Sequence, residues 1–216
     1  MPLQLLPCTD ADMARTFAIL SDAFGHEHPY IEAAFPAHET PAGRAAGGER
    51  MLAIKNSDPT ATFLKVVDTE TGEMIAQAKW NIFKDNIPPE LDLDGDFWGD
   101  DLEEKEYAQH LCREYLIPRR KAIRESGGNL VSLDLLTVDP KHQRRGAGRM
   151  LVQWGTKKAD ELGFTAVVEA SDYGRDLYES EGFQEIERWE SRLPEKWAHR
   201  GKQKFIWMVR PAKKAE

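Results

Sequence analysis

Apolar residues recur along this chain at spacings that alternate between those of strands and those of helices. The run Leu3–Pro7 predicts a short first strand. Residues 13–24 place apolar side chains every three or four positions, which predicts a helix. Thr9 and Asp12 have the spacing of a capping box at its start, and Gly25 marks its end. The chain therefore begins with one strand followed by one amphipathic helix.

Prolines divide the next segment, and two strands follow it. Residues 26–60 predict short helical pieces, because prolines interrupt the pattern. Those prolines are Pro29, Pro36, Pro41 and Pro59. Ala61–Asp68 and Glu73–Phe83 alternate in the manner of strands and are joined by a turn at Thr69–Gly72. So short a connection predicts an antiparallel hairpin.

The second half of the chain predicts helices and strands in alternation. A helix runs from about Asp101 to Glu125, with Pro118 as the position of a break, and ends at Gly127-Gly128. The elements that follow are strand 130–138, helix 146–162 with Gly163 just after its end, strand Ala166–Ala170, helix Asp172–Glu181 ended by Gly182, strand Phe183–Trp189 and strand Lys204–Val209. This order predicts an α/β protein with a mixed, mostly antiparallel central sheet flanked by helices.

Composition narrows the class of protein. Hydrophobic residues make up 41% of the chain, and no apolar run approaches the roughly 20 residues of a membrane helix. No signal peptide is apparent. The net charge of −8 argues against binding to nucleic acid or anionic membranes, which favours a basic surface. Cys8 and Cys112 are too few for a disulfide framework, so we expect a cytoplasmic location, with the nucleus as an alternative.

A glycine-containing turn, Gln143–Gly148, lies between strand 130–138 and the next helix. The first N–H groups of a helix have no internal partner, and the helix dipole adds positive charge there. Such a turn can bind a pyrophosphate, although a tight turn without a ligand is the alternative. A P-loop does not fit, and a dinucleotide fingerprint would need glycine at Leu151.

The residues at this turn resemble the acetyl-CoA signature of the GNAT acetyltransferase superfamily. Gln143–Gly148 reads Gln-Arg-Arg-Gly-Ala-Gly, similar to the pattern Gln/Arg-x-x-Gly-x-Gly/Ala. Leu177–Phe183 reads Leu-Tyr-Glu-Ser-Glu-Gly-Phe and resembles the second signature, Leu-Tyr-x-x-x-Gly-Phe. The resemblance is specific over residues 130–190. It implies the GNAT fold, in which strands 130–138 and 166–170 are parallel neighbours that splay apart into a V-shaped slot.

The resemblance also implies acetyl-CoA as co-substrate, without a metal. Backbone N–H groups of residues 144–148 would hold the pyrophosphate. The strand edge at residues 136–138 would pair with the pantetheine arm, and an N–H near Leu136 would meet the thioester oxygen. The residues expected to bind acetyl-CoA are Leu136, Thr137, Val138, Gln143, Arg144, Arg145, Gly146, Ala147, Gly148, Arg149, Ser171 and Tyr178. Ser171 stands where the family often has asparagine, but a hydroxyl still donates and accepts.

The resemblance further implies catalytic roles. Tyr178 would protonate, or donate a hydrogen bond to, the leaving thiolate, with core packing as its alternative role. Simple alternation places Ser132, Asp134 and Leu136 on one face of their strand. Ser132 stands where some members carry a glutamate base, and Asp134 and Glu169 are further candidates for deprotonating the amine. A water chain is an alternative base, and ordinary ion-paired strand residues are the alternative interpretation.

Two features concern the acceptor side. The acidic segment 85–106 would attract a cationic amine, or else would be a solvated, mobile insertion. His26, His28 and His38 have no zinc-like spacing with other ligands, and we interpret them as surface residues that line the acceptor side.

Together these features predict one N-acetyltransferase domain over residues 1–216, with a variable acidic insertion and helix at 84–128 and an acetyl-CoA-binding core at 130–190. The predicted reaction is direct attack on acetyl-CoA by a primary amine. Small amines, antibiotic-like compounds, peptide N-termini and protein lysines all stay open as acceptors. A catalytically inactive acyl-CoA-binding or sensing domain is the main alternative, and an unrelated nucleotide-binding module is a remote one. We expect a monomer or a homodimer.

Overall fold

One mixed sheet organises the computed structural model, which describes residues 2–213. Its strands are β1 (Leu3–Pro7), β2 (Ala61–Asp68), β3 (Met74–Phe83), β4 (Leu130–Val138), β5 (Thr165–Ala170), β6 (Gln184–Glu190) and β7 (Lys204–Arg210). They lie in the order β1-β2-β3-β4-β5-β7-β6. Within this sheet β4 and β5 are parallel, and every other neighbouring pair is antiparallel. The predicted fold class is therefore confirmed.

Helices cover both faces of the sheet. They are α1 (Met13–Phe24), α2 (Pro29–Ala34), α3 (Pro41–Ser57), α4 (Leu102–Glu125), α5 (Ala147–Leu162) and α6 (Arg175–Ser180). One core lies between the sheet and α5 with α6, and separate cores lie against α1 with α3 and against α4. The cores against α1 with α3 and against α4 flank the region where β4 and β5 meet, so they hold these helices beside that region.

Most differences from the predicted elements come from proline and turn chemistry. Pro29 and Pro41 begin helices, because proline at the first helical turn needs no N–H partner. Helix α4 continues through Pro118, whose ring is buried, so the predicted break does not occur. Helix α6 begins later than predicted, because Ser171 and Gly174 close a turn before it, with an N–H···O distance of 3.1 Å.

Strands β4 and β5 separate partway along their length. Their register runs from Leu130 opposite Thr165 to Leu133 opposite Val168, and pairing stops there. From Asp134 and Glu169 onward the two strands face each other across a gap. The predicted V-shaped slot between these parallel strands is therefore present.

A β-bulge at Asp134 corrects the predicted alternation of β4. Lys79 pairs with Leu135, whereas the next residue of β3 pairs with Leu133, which leaves Asp134 as the extra residue. Leu133 and Leu136 consequently pack in the same core, under α5. Asp134 shares its face with Ser132 but not with Leu136, because a bulge shifts the two-residue period by one.

Helix α5 lies unusually close to β3. A Cβ atom on Gly155 would come within 2.2 Å of the Trp80 ring, so only glycine fits there. The Trp80 indole N–H donates to the Leu151 carbonyl at 3.2 Å. This contact fixes the start of α5, and with it the glycine turn, against the end of β4.

Candidate functional site

A cavity of about 710 Å³ opens from the gap between β4 and β5. Leu136, Glu169, Ser171 and Tyr178 line the end beside these two strands, here called the inner end, and the segment 86–93 lines another part of the wall. Other walls come from α3, α4 and the aromatic residues that precede α3. This volume is in the range of small-molecule sites, so the cavity is large enough for an acceptor beside the slot.

Arg119 of α4 bridges the two strands where they separate. Its Nε atom donates to Glu169 Oε1 at 3.0 Å, and its terminal nitrogens bind Glu169 and Asp134. Lys79 of β3 contacts the other Asp134 oxygen at 2.9 Å. The side chain of Glu169 is fully buried and that of Arg119 is 8% exposed. Two cations and two carboxylates thus form one nearly buried network at the apex of the slot.

This network sets the pKa values of the two carboxyl groups in opposite directions. Burial disfavours the charged form of Asp134, but Lys79 and Arg119 outweigh it and hold its pKa well below the usual range. Burial raises the pKa of Glu169, and Arg119 offsets only part of that effect. Glu169 is therefore the better proton acceptor of the two, and Asp134 stays ionised.

Tyr178 combines a packed ring with a position at the cavity. Its ring packs edge-on against Phe183 at 5.8 Å, and a Cβ on Gly174 would approach it to 2.8 Å. The residue also lines the inner end of the cavity, together with Leu136 and Ser171. Burial raises the pKa of its phenol, so the group keeps its proton and can donate a hydrogen bond there.

Ser132 lies apart from these groups. It sits in the part of β4 that pairs on both sides, opposite Asn81 and Val167. It is fully buried and outside the cavity lining, and within residues 2–213 its hydroxyl has no hydrogen-bond partner. The structure therefore brings Asp134, Glu169, Leu136, Ser171 and Tyr178 to one cavity but leaves Ser132 out.

The glycine turn presents open backbone at the start of α5. Gly146 caps the helix with φ 92°, and a Cβ there would meet nothing within 4 Å. Within residues 2–213, no backbone carbonyl accepts from the N–H groups of Gly146, Ala147 or Gly148. These donors and the empty space beside them fit a pyrophosphate group.

The side chains around this turn have different surroundings. Gln143, Arg144 and Arg149 are exposed. Arg145 is engaged by Asp68, with an Nη2···Oδ2 distance of 2.6 Å, so its charge is compensated. It ties the turn to the end of β2 rather than adding free positive charge.

Three residues expected to contact acetyl-CoA are partly held by the protein. A Cβ on Gly148 would lie 3.3 Å from Leu177 and 3.6 Å from Val138, so this glycine also permits close packing of α5. Thr137 is buried, and its hydroxyl accepts from Gln77 Nε2 at 2.8 Å. The side chains of Thr137 and Val138 are thus engaged within the protein, and Gly148 has none. Only the backbone groups of these three residues are suited to bind a ligand.

The acidic segment is ordered by ion pairs with the rest of the protein. Asp92 contacts Arg113 at 2.8 Å, and Asp94 contacts Lys105 at 2.6 Å. Trp98 is buried, and its indole N–H donates to the Ala33 carbonyl at 2.8 Å. Much of the segment's negative charge is thus neutralised, which weakens the predicted attraction of cationic acceptors by this segment as a whole.

The three histidines differ in exposure: His26 is exposed, whereas His38 is not, so their interpretation as surface residues is wrong for His38. His38 is buried, and its Nε2 lies 2.7 Å from Glu32 Oε1. His26 Nδ1 lies 2.9 Å from the same oxygen, so a group with the composition of a metal site forms despite its spacing in sequence. His28 lines the cavity, and burial lowers its pKa to about 4, so it is neutral.

Sequence reasoning missed the residues that organise the slot. Arg119 follows a proline inside a charged helix, and nothing in that pattern distinguishes it from its neighbours. Lys79 and Asn81 gave a usable signal, because they and Gln77 are polar at every second position of an otherwise apolar strand. That alternation indicates a polar stripe on one face of β3.

None of the helices in the described part of the chain combines the length and apolar character needed to cross a membrane.

Part of the sequence matches a known protein family. Residues 121–192, about a third of the chain, match the family model of the acetyltransferase (GNAT) domain. No curated protein matches the sequence significantly. The resemblance to the GNAT superfamily is thereby confirmed.

Solved structures share the fold over nearly the whole chain. A polyamine N-acetyltransferase from Drosophila melanogaster, which forms N-acetylagmatine, has TM-score 0.63 and 17% identity, with 96% of this chain and 99% of that one covered. A phosphinothricin acetyltransferase from Sinorhizobium meliloti, in complex with AcCoA, has TM-score 0.56, 16% identity and coverage of 98% and 89%. A mosquito arylalkylamine N-acetyltransferase-like protein has TM-score 0.62, 15% identity and coverage of 97% and 99%. At sequence identities this low, the similarity of these structures shows a shared fold and nothing about the acceptor.

Proposed function

We propose that this chain is an acetyl-CoA-dependent N-acetyltransferase, a single domain over residues 1–216 that acetylates a primary amine. The proposal depends on one arrangement: an open glycine turn, a splayed strand pair and a cavity lie next to one another at the carboxyl end of β4. The turn suits the pyrophosphate, the gap suits the extended pantetheine arm, and the cavity suits the acceptor.

In the proposed complex the backbone does most of the holding. The N–H groups of residues 144–148 bind the pyrophosphate at the start of α5. The edge of β4 beyond Asp134 has no strand partner on the β5 side, so it pairs with the pantetheine arm as an added strand would. A backbone N–H near Leu136 polarises the thioester carbonyl.

The proposed chemistry is direct transfer. The amine nitrogen attacks the thioester carbon, a C–N bond forms, the C–S bond breaks, and the ammonium proton leaves. Glu169 accepts that proton more readily than Asp134, because burial raises its pKa. Tyr178 donates a hydrogen bond or its proton to the departing thiolate. Ser132 lies outside the cavity and has no part in this mechanism.

The main alternative is an acyl-CoA-binding domain without catalysis. Tyr178 at the inner end of the cavity, together with two ionisable carboxyl groups, favours an enzyme. The acceptors named for the similar structures have opposite character, because polyamines are cationic and phosphinothricin is acidic. We therefore propose a primary amine as the acceptor and take no narrower class from these similarities.

Replacing Tyr178 by phenylalanine tests the role of its hydroxyl. The ring contacts with Phe183 and Gly174 are kept. We expect kcat to fall by about 10², the low end for a general acid, because thiolates leave tolerably well unaided. The KM for acetyl-CoA should change little, since the interaction forms mainly in the transition state. Steady-state kinetics with a saturating amine measures both constants.

Tyr173→Phe is the matched control, since this tyrosine is 90% exposed and precedes α6. It should retain the wild-type kcat. A Tyr178→Phe variant that keeps wild-type kcat, with chemistry shown to be rate-limiting, would leave Tyr178 only its packing role.

A further inference from the structure

Asp58 is a carboxylate on the cavity wall, between α3 and β2. Its Oδ1 atom accepts from the Thr60 N–H at 2.9 Å and from the Thr60 hydroxyl at 2.7 Å. Its Oδ2 atom accepts from Asn81 Nδ2 at 2.9 Å. A carboxylate has about four lone-pair sites, so these three neutral donors fix its orientation and leave one acceptor site open.

The charge of Asp58 is uncompensated, unlike that of the other carboxylates in the cavity wall. Asp134 and Glu169 share Arg119, while Glu90 and Asp92 pair with Arg120 and Arg113. The part of the chain that the structure describes offers Asp58 no lysine, arginine or histidine partner. A fixed anion in a cavity, held only by neutral donors, favours a cationic ligand group.

The position of Asp58 sets its distance from the reaction centre. Leu136, where the thioester carbonyl is proposed to lie, pairs with Ala78 of β3. Asn81, which holds Asp58, lies three residues further along β3, and a strand rises about 3.3 Å per residue, so the separation is about 10 Å. A hydrogen bond at Asp58 and the approach of the amine to the thioester each take up about 3 Å of this separation, so a short aliphatic spacer between the two nitrogen atoms fits it.

Arg50 is a cation in the cavity wall, and a free cation there would favour an anionic acceptor instead. The Arg50 guanidinium lies over the rings of Phe35 and Phe97, at 4.4 and 4.5 Å, and donates to the Ala34 carbonyl. Its charge is thus already engaged by two aromatic faces. Asp58 is the group that retains an open site.

We propose that Asp58 binds a second cationic group of the acceptor, so that the preferred substrates are primary amines that carry another ammonium or guanidinium group. This inference rests on the proposed N-acetyltransferase function, and it makes Asp58 a specificity-determining residue. Asn81 and Thr60 position its carboxylate. The amine to be acetylated reaches the splayed end of β4 and β5 while the other cation remains at Asp58.

The test compares putrescine with n-butylamine, which has the same carbon chain but a single amine. Calorimetry measures the binding of each to the CoA-bound protein, and kinetics measures kcat/KM for each. The wild type should prefer putrescine by about tenfold or more, the range of a charge-assisted hydrogen bond. Asp58→Asn should abolish most of that preference, and Glu49→Gln, an exposed change on α3 outside the cavity wall, should preserve it.

The double variant Asp58→Asn/Asn81→Asp separates recognition from folding. It exchanges the two side chains and returns one carboxylate to the same hydrogen-bonded pair, so the putrescine preference should return. An unchanged preference in Asp58→Asn, or a wild-type preference for n-butylamine, would overturn the proposal for Asp58. Because binding is measured without turnover, that failure differs from failure of the proposed function, which would appear as putrescine binding without acetyl transfer.

Discussion

Replacing Arg119 by methionine is expected to lower the free energy of unfolding by about 3–5 kcal/mol, because it leaves two nearly buried carboxylates without their shared counter-ion. Arg119 holds Asp134 and Glu169 where β4 and β5 separate. Methionine keeps an unbranched apolar stem in place of the aliphatic part of arginine, so the loss mainly reflects charge and hydrogen bonds. Urea denaturation of both proteins measures the difference.

The matched control is Arg113→Met, on the same helix. Arg113 pairs with Asp92, and both side chains are nearly half exposed, so the expected loss is about 1 kcal/mol or less. Equal losses for the two variants would show that the network at the slot is no more important than a surface ion pair.

The Arg119→Met deficit should also depend on pH. Burial raises the pKa of Glu169 in the folded protein, so its ionisation costs stability above that pKa and the cost disappears as the pH falls through it. Without Arg119 this cost grows, and the pKa of Glu169 rises further. The deficit should therefore narrow from neutral to mildly acidic pH. A deficit that is constant over that range would mean that an uncompensated carboxylate is not its cause.

Replacing Gly146 by aspartate should weaken acetyl-CoA binding by about a hundredfold or more, since the charged hydrogen bonds that would be lost are worth about 1.5–3 kcal/mol each. The new carboxylate would stand at the N-terminus of α5, in space that is open for a phosphate. Titration calorimetry gives the affinity. The rise in melting temperature with acetyl-CoA, expected because the ligand binds the folded state, should disappear in this variant.

Gly163→Asp is a closely matched control at the other end of α5. Gly163 also has a positive φ, 68°, is exposed, and has open space at its Cβ. Both variants therefore introduce the same residue with similar backbone strain, but only one introduces it at the proposed phosphate site. Equal loss of affinity in both would attribute the effect to damage of the helix.

Arg144→Ala and Arg145→Ala add information about the same turn. Backbone binding predicts only a mild loss for Arg144→Ala. Arg145 is paired with Asp68, so Arg145→Ala should mainly change the conformation of the turn. Loss of positive charge at the phosphate site should be the smaller effect. An arginine variant that binds acetyl-CoA more weakly than Gly146→Asp would contradict the backbone model.

The elements of the fold could be predicted from local pattern, because each is set by a few neighbouring residues. Gly146 and Gly163 bound α5 as expected, and the β2–β3 hairpin follows from its turn. Pro118 was expected to break α4, but packing of the surrounding helix against the core overrides the local preference of proline. Local sequence signals therefore predict the order of the helices and strands well, but they do not predict whether a helix continues through a proline.

The interior of the candidate site was harder to predict, because it depends on pairings between distant residues. The bulge at Asp134 arises from the register of β3 against β4, and it separates Leu136 from the face predicted for it. Arg119 meets Glu169 across 50 positions of the chain. Likewise, the charge of Asp92 was visible in the sequence, but its neutralisation by Arg113 was not.

Transfer of acetyl groups to amines by this chain can be measured as amine-dependent release of CoA. Purified protein is incubated with acetyl-CoA and each of a panel of primary amines, free CoA thiol is measured over time, and the amine product is identified by mass spectrometry. Release of CoA should require an amine, yield an N-acetylated product and fall sharply in Tyr178→Phe. Tight acetyl-CoA binding with no amine-dependent release would contradict acetyl transfer by this chain and would favour an acyl-CoA-binding domain without catalysis.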